Sequence, residues 1–201
     1  METERLIIRT FRPDDLPAIH QILSKAFPDD PSADAAAAVT ARESWLGWSI
    51  LNQEWLPKLH QPPYGDRAIT LKSSGALIGA AGYVPLLAPF GQIPELRGSD
   101  VPDGLFTPEV GLYWVIDPEH RRRGYAAEAA RGLADHAFTQ MHLKRILATT
   151  EHDNAASQGV MRRLGMQMAR NPLPEPAWLQ VVGILWNPGR FSPEAPPPKA
   201  D

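Results

Sequence analysis

The chain has 201 residues, of which 43% are hydrophobic and 21% charged, with a formal net charge of −3. That balance supports a globular domain with its own core and gives no global attraction for nucleic acid or an anionic membrane. There is no cysteine, which excludes disulfides, thiolate metal sites and a cysteine nucleophile.

The opening residues, METERLIIRT, put two glutamates where a secretion signal needs positive charge. No apolar run approaches the roughly 18 residues that cross a bilayer, so a cytoplasmic location is expected. Arg5–Phe11 reads as a first strand and Pro13–Phe27 as a helix. Asp14 is its plausible cap, and Leu16, Ile19, Leu23 and Ala26 recur at helical spacing. Pro28–Asp34 is a break. A second helix is expected from Ala35 to Leu59, with Trp45, Trp48, Leu51, Trp55 and Leu59 on one stripe. That stripe reads as core packing, with the alternative that one tryptophan lines a substrate cleft. Arg67–Lys72 and Ala76–Leu87 form a hairpin around Ser73-Ser74-Gly75. The segment Ala88–Pro108 has no periodicity and many turn residues, and a loop that long is usually functional or disordered.

Glu109–Ile116 is apolar on both faces, as a central strand should be. A helix follows over Gly124–Met141, with Ala126, Ala130, Leu133, Ala137 and Met141 on one face. Then come a strand (Arg145–Thr150), a helix (Asn154–Leu164) that Asn154 is suited to start, and closing strands at Met166–Arg170 and Trp178–Trp186. The pattern predicts one domain over residues 1–186 of mixed α/β (α+β) class. The proline-rich residues 187–201 read as a disordered tail.

The stretch WVIDPEHRRRGYAAEAA concentrates positive charge at one point of an acidic chain. Pro118 stops the strand ladder because it has no amide hydrogen. The chain turns through Glu119–Arg123 and enters the helix near Gly124. A helix start leaves about four amides bare and carries partial positive charge, so phosphate suits it. Gly124 and Ala126 would let a bulky anion reach the backbone. Arg121, Arg122 and Arg123 add forked donors. Cations at a helix start cost a few tenths to ~1 kcal/mol, a sign that a bound anion would reverse. The plainer alternative is a solvated basic corner. The loop is neither GxxxxGK[ST] nor GxGxxG, the six histidines form no HxxxH or HExxH, and there is no GxSxG. No metal site is expected.

Arg121-x-x-Gly124-x-Ala126 resembles the Gln/Arg-x-x-Gly-x-Gly/Ala acetyl-CoA loop of the GNAT N-acetyltransferase superfamily. The segment NAASQGVMRRLGM has Asn154, Ser157, Leu164, Gly165 and Met166 in phase with an Asn-x-x-Ser followed by Leu-Gly-Phe. That pattern resembles the RimJ/RimL-type branch, which holds the ribosomal-protein N-terminal acetyltransferases. The resemblance implies a mixed, mostly antiparallel twisted sheet of six to seven strands flanked by about four helices. It implies that the backbone of Trp114, Val115 and Ile116 pairs with pantetheine. The amides of Arg121, Arg122, Arg123, Gly124, Tyr125 and Ala126 would hold the pyrophosphate. Asn154, with help from Ser157, would bond the pantetheine, although Asn154 also reads as a plain helix cap.

The implied chemistry is direct attack of an amine on the thioester of acetyl-CoA, with no covalent enzyme intermediate. An amine attacks only when neutral. A lysine-type amine is neutral in roughly one molecule in 2,500 at pH 7, an α-amino group in roughly one in seven. Glu109 is the candidate base. It lies ~23 Å of extended strand from Ile116, so a bridging water is expected, and a surface glutamate is the alternative. Tyr113 and His142 are weaker candidates, and His120 would sooner meet CoA. Met161 stands where many relatives carry a tyrosine acid, which leaves solvent or the amine to protonate the thiolate. The expected acceptor is a peptide or small-molecule amine, with nucleic acid and membrane excluded and a monomer or homodimer as the state. Two competing readings are a non-catalytic CoA-binding or regulatory module and a purely structural anion corner.

Overall fold

The computed structural model describes residues 1–27, 34–97 and 104–189. Among the described residues, seven strands form one mixed sheet in the order β1-β2-β3-β4-β5-β7-β6, with four helices, as the resemblance implies. The expected break at Pro28–Asp34 lies outside the described residues except for Asp34. The expected tail lies outside them beyond Gly189. Two compact units are distinguished: Met1–Leu87 with Val110–Leu133, and Ala88–Glu109 with the residues from Ala134 on.

In the first unit, β1 (Leu6–Arg9) pairs antiparallel with β2 (Gly65–Leu71), and β2 pairs with β3 (Leu77–Ala88). A 3-10 turn at Pro13–Asp15 leads into α1 (Leu16–Ala26). Asp15 fastens this entry rather than Asp14. Its carboxylate accepts from the Arg12 amide at 2.7 Å and from both Arg9 terminal nitrogens at 2.7 and 2.8 Å. Asp14 points to solvent.

The helix α2 (Ala35–Trp55) begins at Asp34, which accepts from the Ala36 amide at 3.0 Å. It tightens into a 3-10 turn at Leu56–Leu59 and stops at left-handed His60. The tryptophan stripe is not its buried face. Trp48, Leu51, Trp55 and Leu59 are at least half exposed, whereas Leu46 and Ser49 are buried. Only Trp45 of the stripe turns inward, edge-on to Phe11 at 5.4 Å between ring centres. The inward face is set by the cluster of Phe11, Ile19, Ile22, Leu23, Ala68, Ala80 and Val115, against which Leu46 closes. One aliphatic side chain meeting an existing core outweighs several rings at regular spacing.

The strand β4 is Thr107–Ile116, two residues longer at its start than expected. Gly79 lets β3 approach it closely, since a Cβ there would sit 2.1 Å from the Val115 carbonyl oxygen. The helix α3 covers Tyr125–Thr139, and the Tyr83 hydroxyl donates to the Leu133 carbonyl at 2.7 Å.

In the second unit, β5 (Arg145–Thr150) and β6 (Gln167–Arg170) both pair antiparallel with β7 (Val181–Trp186). The helix α4 (Ala155–Leu164) precedes β6. Part of the Ala88–Pro108 segment is packed: Phe90–Gln92 is a 3-10 turn, Phe90 and Ile93 are buried, and Gln92 accepts from Asn171 at 2.7 Å. Its residues 98–103 lie outside the described chain. Among the described residues, no helix is long and apolar enough to cross a membrane.

Candidate functional site

The turn after β4 is built residue by residue. The Asp117 amide donates to Ile78 at 2.8 Å, and the Asp117 carboxylate accepts from the Glu119 amide at 3.0 Å. Pro118–His120 is a 3-10 turn. Arg122 and Gly124 then both take left-handed conformations, with φ of 64° and 84°. For Arg122 this costs about 1–2 kcal/mol, and such strain gathers at ligand sites. The first helical hydrogen bond is Glu128 N–H to the Gly124 carbonyl at 3.0 Å, so the amides of Tyr125, Ala126 and Ala127 lie ahead of the ladder. A Cβ on Gly124 would meet only Arg5 Nη2, at 3.4 Å. The turn therefore presents open backbone on that side.

Arg121, Arg122 and Arg123 are exposed at this turn. Arg121 Nε folds back onto the Ile116 carbonyl at 3.2 Å. The nearby acids are already engaged. Lys25 holds Glu119 at 2.6 Å. Glu128 accepts from the Thr3 hydroxyl at 2.6 Å, the Arg5 amide at 2.7 Å and Arg5 Nε at 2.7 Å. Burial alone would raise the Glu128 carboxyl, but those donors outweigh it and hold it below its ordinary value. Arg5 also donates to the Arg123 carbonyl at 3.0 Å and lies 4.6 Å over the Tyr125 ring. Glu119 and Glu128 are thus paired with Lys25 and Arg5, while three exposed arginines stand at a helix start. Trp114 is half-buried, and Val115 and Ile116 are buried, at the end of β4 that leads into this turn.

A second cluster in the same unit went unrecognised in the sequence. Asp66, on β2 opposite Gly82, is pushed up to about 6 by burial; the Trp45 indole hydrogen bond and the Arg67 charge pull the other way. Tyr113 is raised by burial and by the Asp66 charge, with Arg42 opposing. Arg67 itself is spent on neutral oxygens: Gly65 at 3.2 Å, Pro63 at 2.8 Å and Gln53 at 3.1 Å. Facing Asp66, α2 carries Arg42, Trp45, Ser49 and Asn52 at helical spacing. Among the described residues, Arg42 Nε, Ser49 Oγ and Asn52 Nδ2 are buried without a hydrogen-bond partner. The one available sequence signal is a charged pair, Asp66-Arg67, opening an otherwise apolar strand.

The remaining expected residues lie in the second unit. Both Glu109 oxygens are held by Arg145: Nε meets Oε2 at 3.0 Å, and Nη2 meets Oε1. Accepting a proton there means breaking a charge-assisted bond. Asn154 Oδ1 accepts from the Ser157 amide at 3.0 Å, which makes it the cap of α4 and leaves its Nδ2 for other contacts. Met161 is fully buried against Gly183, where a thioether has no proton to give.

The family model described as "Acetyltransferase (GNAT) domain" matches residues 5–167. The Bacillus subtilis (strain 168) protein YnaD, described as an uncharacterized N-acetyltransferase, is 41% identical over 64 residues. That match covers 32% of this chain and 36% of YnaD, so the chain spans about a third of this curated relative. The ribosomal-protein-S5-alanine acetyltransferase from Vibrio fischeri has a TM-score of 0.63 at 19% identity, covering 96% of this chain and 98% of that one. The RimL ribosomal L7/L12 α-N-protein acetyltransferase, solved in complex with coenzyme A, has a TM-score of 0.57 at 16% identity, covering 91% and 93%. At these identities the likeness to the two solved structures is one of fold.

Proposed function

The chain belongs to the acetyltransferase (GNAT) family, and on that premise we propose that it moves the acetyl group of acetyl-CoA to a primary amine by direct attack. The observation that carries this reading is the strained turn at the start of α3, with Arg122 and Gly124 left-handed, the first helical amides ahead of the ladder and three exposed arginines. Those features match what a diphosphate needs: backbone donors, the positive end of a helix and forked cations.

In this reading the amides of Arg121 through Ala126 hold the pyrophosphate. The backbone of Trp114, Val115 and Ile116 lies along pantetheine, and Asn154 Nδ2 with Ser157 bonds the same arm. Acetyl-CoA supplies the activated acyl group, and the protein supplies position and proton transfer. The acceptor is a small-molecule or peptide amine. The buried Met161 favours one competitor, a module that binds CoA without turning it over. Calorimetry with CoA and free-thiol release from acetyl-CoA separate these readings, using N-terminal peptides, aminoglycosides and polyamines as acceptors. Binding with turnover supports the enzyme, and binding without turnover supports the module. In Arg121→Ala/Arg123→Ala, affinity for CoA should fall roughly 10- to 100-fold, the loss of one to two charge-assisted contacts. Equal affinity in both proteins counts against the site.

A further inference from the structure

The carrier site leaves the Asp66 cluster unused, yet that cluster adjoins it in the chain. Tyr113, which senses the Asp66 charge, immediately precedes Trp114 on β4. The Asp66 carboxyl is partly buried beside the Trp45 indole. The side of α2 that faces it is polar where a core-facing helix should be apolar. Ser49 is fully buried with an unsatisfied hydroxyl, and Arg42 Nε and Asn52 Nδ2 are buried donors without acceptors among the described residues. Asn52 Nδ2 comes within 3.4 Å of where a Gly65 Cβ would sit, one residue from Asp66. Unpaired buried polar groups destabilise a fold, so such a row next to a carboxylate is best explained by a ligand that completes it.

Building on the acetyltransfer reading, we propose that Asp66 is the catalytic residue that accepts the acceptor amine's proton, and that Arg42, Ser49 and Asn52 on α2 seat the acceptor through its oxygen atoms.

The step balances as follows. Asp66 takes one proton from the acceptor's ammonium group. The freed lone pair forms a bond to the thioester carbonyl carbon, and the carbon–sulfur bond breaks with its electron pair on sulfur. The second nitrogen proton passes to the thiolate. The products are the amide, free CoA thiol and one proton released from Asp66 to solvent.

Charge decides the acceptor class. A carboxyl near 6 is ionised at roughly ten to one at neutral pH. Removing a proton from an α-ammonium is then uphill by roughly 60-fold, and from a lysine-type ammonium by roughly 25,000-fold. The unsatisfied donors call for carbonyl or carboxylate oxygens, and the Arg42 charge repels a second ammonium. The fitting acceptor is an α-amine beside such an oxygen, as at a peptide N-terminus, and not a polyamine. The charged and titratable groups around Asp66 are Arg67 on its own strand and Tyr113 on β4, with Arg42 of α2 acting on Tyr113. Its partner on β3, Gly82, carries no charge.

The test is thiol release by the full chain from acetyl-CoA with an alanine-initiated tripeptide across pH 5–9, alongside calorimetry with CoA. Wild-type kcat/KM should fall as pH drops through about 6. Asp66→Asn should lose about 10²- to 10⁴-fold in kcat and flatten that limb while keeping its CoA affinity, and Asp66→Glu should restore part of the rate. Asn52→Leu should raise KM for the tripeptide and leave the pH limb in place. Asp66→Asn with a wild-type rate and pH profile overturns the proposal alone. Wild-type protein that binds CoA but releases no thiol with any amine overturns the acetyltransfer reading and this proposal with it.

Discussion

Replacing Glu109 with glutamine distinguishes an ion-pair partner from a base. Arg145 grips the carboxylate through two nitrogens, with side chains 21% and 8% exposed for Arg145 and Glu109. The neutral amide keeps the shape but leaves a mostly buried guanidinium facing one carbonyl oxygen and an NH2 group that cannot accept. A hydrogen bond to a charged group is worth about 1.5–3 kcal/mol, and one contact survives in weakened form, so the loss should be about 2 kcal/mol. For a chain of this size that corresponds to a fall in Tm of about 4–8 °C. Differential scanning calorimetry reads the first quantity. Thiol release with the best acceptor, normalised to folded protein, reads the second. The reasoning expects a clear Tm loss with kcat lowered no more than about threefold. Arg145→Met placed on top of Glu109→Gln should recover part of the stability, because the orphaned cation is gone. An unchanged Tm with kcat down a hundredfold or more would make Glu109 the base and refute the assignment.

Gly124→Val forces a β-branched residue to φ near 84°; it should cost about 1–2 kcal/mol, seen as a Tm drop of several degrees, and remove measurable CoA binding. Asp15→Asn should destabilise by about 1 kcal/mol at neutral pH. Burial opposes ionisation of Asp15, but the Arg9 and Arg12 contacts win and hold its carboxyl low. The stabilisation is thus present above the ordinary carboxylate range and lost as pH falls through the depressed value, and the wild-type and variant Tm curves should converge toward pH 3. Asp66 has the opposite sign: its raised carboxyl destabilises the fold increasingly as pH rises from the ordinary carboxylate range to about 6, so Asp66→Asn should stabilise the fold at pH 8 by at most about 3 kcal/mol, read as a higher Tm, and the gain should vanish by pH 4. Asn154→Ala should cost about 1 kcal/mol as a lost cap, with a separate loss in CoA affinity if its Nδ2 serves the carrier.

The run from β4 to α4 was legible because local chemistry dictates it. Pro118 must end a ladder, Gly124 suits a left-handed turn, and Asn154 caps the helix that follows. The inward face of α2 was not legible. Its tryptophans recur at helical spacing, whereas the residues facing Asp66 are Arg42, Ser49 and Asn52, which any polarity rule assigns to solvent. Pattern reading fails there for a physical reason, since a buried donor without a partner is costly and no polarity rule anticipates one facing inward. The Glu109–Arg145 pair joins positions 36 residues apart, and no spacing rule connects a strand's first residues to another strand's start. Asp66 was overlooked because a charged dipeptide at a strand's edge looks like the end of a turn.

Arg5 precedes the outermost strand, yet its guanidinium grips Glu128 and the Arg123 carbonyl at the mouth of the helix. If the turn holds the carrier's diphosphate as proposed, fraying of that edge and occupancy of the turn become coupled equilibria. Filling the turn should slow deuterium uptake at the Leu6–Arg9 amides. Conversely, loosening the edge should release the ligand sooner.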